Sequence, residues 1–171
     1  MEITFFPRTV DELKRLRDGI ASTPAGGAAT FAVALATYDE DPKLGMQFLT
    51  LVIDMDLLVD GPEGVGGKQP RGLREFRERN GAKPYIGRTM FQGTSPKDGY
   101  KLPPLPLRME IEERPTGPGE TRAKVFVRTT GADLPKPMQL ARNDKGIWKA
   151  VEWSSFQGNC RPPEVKKEDP L

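Results

Sequence analysis

Two stretches decide the fold class: Leu105-Pro106-Leu107-Arg108-Met109-Glu110-Ile111-Glu112 and Ala123-Lys124-Val125-Phe126-Val127-Arg128. In the first, Leu105, Leu107, Met109 and Ile111 alternate with Pro106, Arg108, Glu110 and Glu112. In the second, Ala123, Val125 and Val127 alternate with Lys124, Phe126 and Arg128. Period two is the pattern of a strand with one face on a core and the other in water. Residues 115–119 between them predict a turn. Downstream, residues 131–137 predict a longer turn and residues 138–142 a short strand. Asn143-Asp144-Lys145-Gly146 then reads as a tight hairpin whose glycine suits a left-handed position. A last strand is predicted over about 147–156. On it Trp148 and Trp153 fall on opposite faces, because side chains alternate. Ile147, Val151 and Trp153 are assigned to the core, and Trp148 and Phe156 to the other, half-exposed face.

Upstream the period changes to that of helices. Thr9-Val10-Asp11-Glu12 is a capping box, followed by Val10, Leu13 and Leu16 on one face and Gly19 where a C-terminal cap belongs. Residues 22–27 predict a loop, and the alanine-rich residues 28–38 a second helix with Phe31 and Leu35 on one side. Asp41-Pro42 predicts the start of a third, an acidic cap with proline at the first helical position. Leu44, Phe48, Leu51 and Val52 form its apolar stripe. Residues 61–72 are glycine-rich and predict a flexible loop. A short fourth helix is predicted over 73–79, with Leu73 and Phe76 inward, and residues 81–104 read as irregular.

Helices first and strands second mean an α+β domain. The prediction is three to four N-terminal helices packed on a curved antiparallel sheet of about four strands, over residues 1–160. Residues 161–171 form an extended, charged, proline-containing tail. This order of elements is similar to the cone-shaped fold shared by nuclear transport factor two and ketosteroid isomerase.

Composition restricts the chemistry. The chain has 171 residues, 26 Lys+Arg against 24 Asp+Glu, a net charge of +2, no histidine and one cysteine. Without histidine there is no Ser-His-Asp or Cys-His pair and no imidazole base. One cysteine makes no internal disulfide, thiolate metal cluster or CxxC centre. A near-neutral charge fits poorly with nucleic-acid binding, which rests on neutralising phosphates. No signal peptide is read at the N-terminus, and the most apolar stretch, 46–59, is broken by Asp54 and Asp56 and too short to span a bilayer. A soluble, cytoplasmic protein is the expectation, without membrane association.

No constellation nominates a catalytic, cofactor-binding or metal-binding residue. Asp39, Glu40, Asp41, Asp54, Asp56 and Asp60 lack the spacing of a calcium loop and read as caps and solubilising charge. Glu110 and Glu112 share a strand face expected to be solvated, with Arg108 and Lys124 as cross-strand partners. Gly67-Lys68 is followed by Gln69-Pro70 and not by the ending of a phosphate loop. The basic cluster Arg71, Arg74, Arg77, Arg79, Lys83 and Arg88 is offset by Glu75 and Glu78. It reads as a solvated face, with an acidic protein as the next reading.

Several short runs carry a resemblance: Asp41-Pro42-Lys43-Leu44-Gly45, Pro84-Tyr85, Ser95-Pro96-Lys97-Asp98-Gly99-Tyr100, Gly131-Ala132-Asp133-Leu134-Pro135-Lys136-Pro137, Gly146-Ile147-Trp148-Lys149 and Trp153-Ser154-Ser155-Phe156. Over residues 28–171 the chain resembles a bacterial family of domains of unknown function with a terminal Lys-Gly-x-Trp hairpin and a short proline-containing tail. The resemblance implies no catalytic residues. It implies an association with gene clusters of bacterial secretion and toxin delivery. The resulting expectation is a non-enzymatic protein-binding module, an accessory, adaptor, structural or immunity-type component that binds a secretion-system protein or toxin. Loops and chain ends carry function on a rigid scaffold, so residues 81–104 and 157–171 are the expected contacts. Arg74, Arg77, Tyr85, Arg88, Tyr100, Trp148 and Phe156 are the candidate partner-binding residues. The alternative is a cone-fold small-molecule binder, isomerase or lyase using carboxylates and tyrosine. A deep pocket lined by such groups inside the sheet would favour it, and a filled core with an exposed aromatic would favour the binding module.

Overall fold

The computed structural model describes residues 1–73 and 84–171. The predicted fourth helix, with Arg74, Phe76 and Arg77, lies outside the described residues apart from Leu73, which is buried. Among the described residues there are three α-helices, α1 (Val10–Ile20), α2 (Pro24–Glu40) and α3 (Pro42–Val52). The fold is α+β, with antiparallel sheets.

Side-chain caps begin each helix. The Glu12 N–H donates to Thr9 Oγ1 at 3.2 Å, and the Glu12 carboxylate accepts from the Arg8 N–H at 2.6 Å. Gly19 does not end α1. The helix runs on to Ile20, and Ala21 closes it in an ordinary right-handed conformation, its N–H donating to the Arg17 carbonyl. Helix α2 starts four residues earlier than its alanine pattern predicts, because Thr23 caps it and Pro24 takes the first helical position. It is buried almost throughout from Pro24 to Tyr38, as a helix apolar on all sides must be. A Cβ on Gly27 would lie 2.7 Å from the Trp148 carbonyl oxygen and 2.8 Å from Leu140 Cδ2. Glycine is therefore what lets α2 lie directly on the sheet. Asp41 caps α3 by accepting from the Leu44 N–H at 3.1 Å.

Among the described residues, eight strands fall into three antiparallel groups. The largest has the order β5 (Glu110–Glu113), β6 (Arg122–Arg128), β7 (Lys136–Arg142), β8 (Trp148–Glu152). The stretch 105–112 is not one strand. Its first part, β4 (Leu107–Arg108), pairs with β1 (Glu2–Ile3), and only its second part joins β6. The glycine-rich residues 61–72 are not a flexible loop. They belong to a hairpin of β2 (Leu58–Val65) and β3 (Lys68–Pro70). Gly66 and Gly67, with φ of 63° and 71°, occupy the two left-handed positions of its turn, where glycine serves geometry.

The last strand is shorter than predicted. It ends at Glu152, and Ser154–Gln157 forms a 3-10 turn. The predicted faces are reversed. Trp148 and Ala150 are buried, whereas Ile147, Val151 and Trp153 are only half-buried. The pairing Arg142↔Trp148 sets this register, and the 3-10 turn rather than strand alternation carries Phe156 inward. Trp153 still packs on Phe31, with ring centroids 5.1 Å apart.

Val125, Val127, Met138, Leu140, Trp148 and Ala150 form the buried inner face of the sheet, and α2 contacts all four strands. The outer edge of β8 is covered. The Trp148 N–H donates to the Ala21 carbonyl, and the Asp54 N–H donates to the Ala150 carbonyl, which leaves little free backbone for edge pairing. Among the described residues, no helix is long and apolar enough to cross a membrane.

Candidate functional site

The residues nominated from sequence are mostly inside. Tyr85 and Tyr100 stack with centroids 5.6 Å apart and planes 12° from parallel. Both are buried, and Tyr100 has no exposure at all. Its hydroxyl donates to the Arg161 carbonyl at 2.5 Å. Burial, and after it the neighbouring Cys160, pushes the Tyr100 phenol up to about 12, and the same causes raise Tyr85. Trp148 and Phe156 are likewise core residues. Arg88 spends its guanidinium on the carbonyls of Tyr100 and Gly99, at 3.1 and 3.2 Å, and lies 3.8 Å from Glu40. Arg74 and Arg77 lie outside the described residues.

From Pro84 onward the segment read as irregular holds only the short 3-10 turns Arg88–Met90 and Pro96–Asp98, yet it is largely core. Ile86, Met90 and Phe91 are buried along with the tyrosines, since aromatic and aliphatic side chains outweigh the prolines and glycines around them. The start of the tail is also held. Arg161 donates through its N–H to the Gly131 carbonyl and through its guanidinium to Asp133, both at 2.8 Å, and the Glu164 N–H donates to the Pro96 carbonyl.

The acidic set is dispersed into local roles. Asp39 accepts from the Gly87 N–H at 2.9 Å, Asp41 and Asp54 cap their helical turns, and Asp60 pairs with Lys68. That lysine holds the Asp60 carboxyl below its ordinary range. Among the described residues, no group of three carboxylate or thiol side chains gathers to hold a metal ion.

The surface with the chemistry of a binding site is the outer face of the four-stranded sheet. Alternation along β6 buries Ala123, Val125 and Val127 and turns Arg122, Lys124, Phe126 and Arg128 outward. Phe126 is half-buried and sits between Glu112 of β5 and Pro137 of β7 in the register. Two cations lie over its ring, the Arg114 guanidinium at 4.8 Å and the Lys124 ammonium at 5.3 Å. The negative face of the ring quadrupole holds both without neutralising either. Glu110 pairs with Arg128 at 3.1 Å, so Arg128 and not Lys124 is its cross-strand partner. Arg114, Arg122 and Lys124 have no carboxylate partner among the described residues. Beside them opens a shallow depression of about 460 Å³ lined by Arg114, Arg122, Lys124, Gln139 and Glu120. Sequence reasoning missed Phe126, although the signal was there, since the alternation already set an aromatic among the cations of the solvent face.

These features define an α+β domain with one sheet face buried by helices and the other bearing an aromatic ring among free cations. The chain belongs to the family described as a domain of unknown function, DUF6935, whose model matches residues 5–164. The match takes in α1 and runs to the point where Glu164 meets Pro96. No curated protein and no solved structure matches the chain.

Proposed function

We propose that this domain is a non-enzymatic protein-binding module, and that its outer sheet face receives an acidic segment of a partner protein. The observation that carries the reading is Phe126 with Arg114 and Lys124 over its ring and Arg122 two residues before Lys124 on the same face, none of the three cations paired with a carboxylate among the described residues. A half-buried aromatic flanked by arginine and lysine offers apolar area together with charge complementarity, the combination found at interface anchors. Arg122 and Lys124 lie on β6, and Arg114 directly follows β5 with its N–H donating to the Lys124 carbonyl, so little backbone freedom is lost on binding. An extended acidic segment suits a sheet face better than nucleic acid does, because the face offers one ring and not a row of stacking platforms. An accessory, adaptor, structural or immunity-type role in bacterial secretion or toxin delivery forms part of the proposal and rests on the family resemblance, and a cytoplasmic setting forms part of it because a lone cysteine suits a reducing compartment. The cone-shaped form of the fold belongs to the small-molecule alternative. That reading needs an acid and a tyrosine inside the sheet, whereas Tyr85 and Tyr100 lie against each other and the inner-face residues named above are apolar.

The test is a fluorescence-anisotropy titration of a labelled Ser-Glu repeat peptide carrying a central Leu. The same peptide with Lys for Glu and an oligo-thymidine strand serve as comparisons. Saturable binding of the acidic peptide alone, weakened by salt and lost in R122E/K124E, supports the proposal. Preference for the oligonucleotide, or an affinity that the charge reversals leave unchanged, overturns it.

A further inference from the structure

Lys124 is the centre of a small cluster on the outer face of the sheet. Arg114 stands beside it on one side, its N–H donating to the Lys124 carbonyl at 3.0 Å, and Gln139 stands opposite it on β7. Neighbouring strands lie about 5 Å apart, so the three residues form a short row across the sheet. Arg122 is two residues before Lys124 on the same face of β6, about 7 Å along the strand. These four residues border the depression of about 460 Å³ together with Glu120. Three cations thus meet one carboxylate there, an excess of two positive charges. Among the described residues none of the three cations is ion-paired, whether with Glu120, with Glu112 or with another carboxylate, and the Gln139 amide has no hydrogen-bond partner. Arg114 and Lys124 are like charges across from one another, an arrangement that destabilises a sheet. The Phe126 ring attracts both, at 4.8 and 5.3 Å from its centroid, but it does not remove the repulsion between them. An anion seated between them does.

We infer that the group this depression selects is a phosphomonoester on a serine or threonine of the partner's acidic segment, an inference that rests on the reading of this face given above. A carboxylate brings one charge and two oxygens. A phosphomonoester brings close to two charges near neutral pH and three terminal acceptor oxygens, which matches both the charge excess and the number of cations. A guanidinium engages phosphate oxygens in pairs through its planar fork, and an ammonium acts as a compact point charge. Arg114, Arg122 and Lys124 supply both kinds of contact, and the Gln139 amide adds a neutral donor. Recognition of a phosphorylated segment by an arginine cluster needs no deep pocket, and this depression is shallow. A lipid headgroup is a poorer fit, because its acyl chains need apolar surface at the rim, whereas this rim is charged. Affinity for the partner then depends on whether the partner is phosphorylated.

The experiment titrates the full chain into labelled Ser-Glu repeat peptides that differ at one central position, phosphoserine or glutamate, at matched ionic strength. The phosphoserine peptide is expected to bind about tenfold more tightly, the worth of roughly one further charge-assisted hydrogen bond. R122Q and K124Q, checked for folding by circular dichroism, are each expected to shrink that preference several-fold, and R114Q/R122Q/K124Q to abolish it. Equal affinities for the two peptides overturn this inference and leave the acidic-segment reading standing, whereas no saturable binding of either peptide overturns both. A preference that survives in the triple variant puts the phosphate site elsewhere and overturns the inference. So does tighter binding to phosphatidylcholine vesicles carrying phosphatidic acid than to the phosphopeptide, because the phosphate would then be a membrane's.

Discussion

Phe126 and Val127 are neighbours in sequence on opposite faces of β6, so substituting them one at a time tests the face assignment and the binding site together. Val127 is fully buried. Val127→Ala removes two methyl groups at ~0.8 kcal/mol each, and the cavity left behind brings the cost to about 2 kcal/mol. In a chain of this size that corresponds to a fall of roughly 4–8 °C in Tm. Phe126→Leu keeps apolar bulk on a half-buried position and gives up two exposed cation–π contacts, for a loss of about 1 kcal/mol. Binding should respond in the opposite order. Phe126→Leu releases Arg114 and Lys124 from their shared ring and weakens the acidic peptide, whereas Val127→Ala leaves the outer face and the affinity intact. Urea denaturation followed by Trp148 and Trp153 fluorescence measures the first pair of effects, and anisotropy titration under native conditions the second. If Val127→Ala is tolerated within ~0.5 kcal/mol, as surface substitutions are, the face assignment is wrong. If Val127→Ala weakens the peptide as much as Phe126→Leu does, the binding site is not on this face.

Three further outcomes follow from the packing. Gly27→Ala should destabilise the protein by ~1–3 kcal/mol although alanine is the better helix former, because its Cβ would meet the Trp148 carbonyl and the Leu140 side chain; a denaturant melt decides. Tyr100→Phe removes the donor to the Arg161 carbonyl and should cost ~1–2 kcal/mol, with faster proteolysis after residue 160 as the structural readout. The phenol's pKa is raised from 10.0 to about 12 in the folded state, so its contribution to stability is complete below pH 10 and is lost as the pH climbs towards 12. Urea midpoints below pH 10 and near pH 12 should therefore converge between wild type and Tyr100→Phe at the alkaline end. Thr9→Ala removes the α1 cap and should cost about 1 kcal/mol without affecting peptide binding, as paired melts and titrations would show.

Much of the fold was legible because its causes are local. Capping residues at Thr9 and Asp41, proline at a first helical position and the period-two alternation of β6 each act within a few residues, and α1, α3 and β6 formed where those signals stood. The failures fall where a signal depends on what lies opposite. Glycine in residues 61–72 looked like freedom, but a partner strand makes Gly66 and Gly67 a turn. The same residue type at Gly27 is neither turn nor flexible, and only the sheet beneath α2 explains it. The site was harder to read. Tyr85, Tyr100, Trp148 and Phe156 are apolar enough to serve either a core or an interface, and only packing decides which.

The sequence by itself determined the α+β class, the order of the three helices before the four-stranded sheet and the chemistry that a chain without histidine can draw on, because these follow from composition and short-range periodicity. Tertiary structure alone decided which aromatic reaches solvent and which cations go unpaired. Burial and ion pairing depend on residues far apart in the chain, which β5–β6 pairing and the packing of α2 bring together.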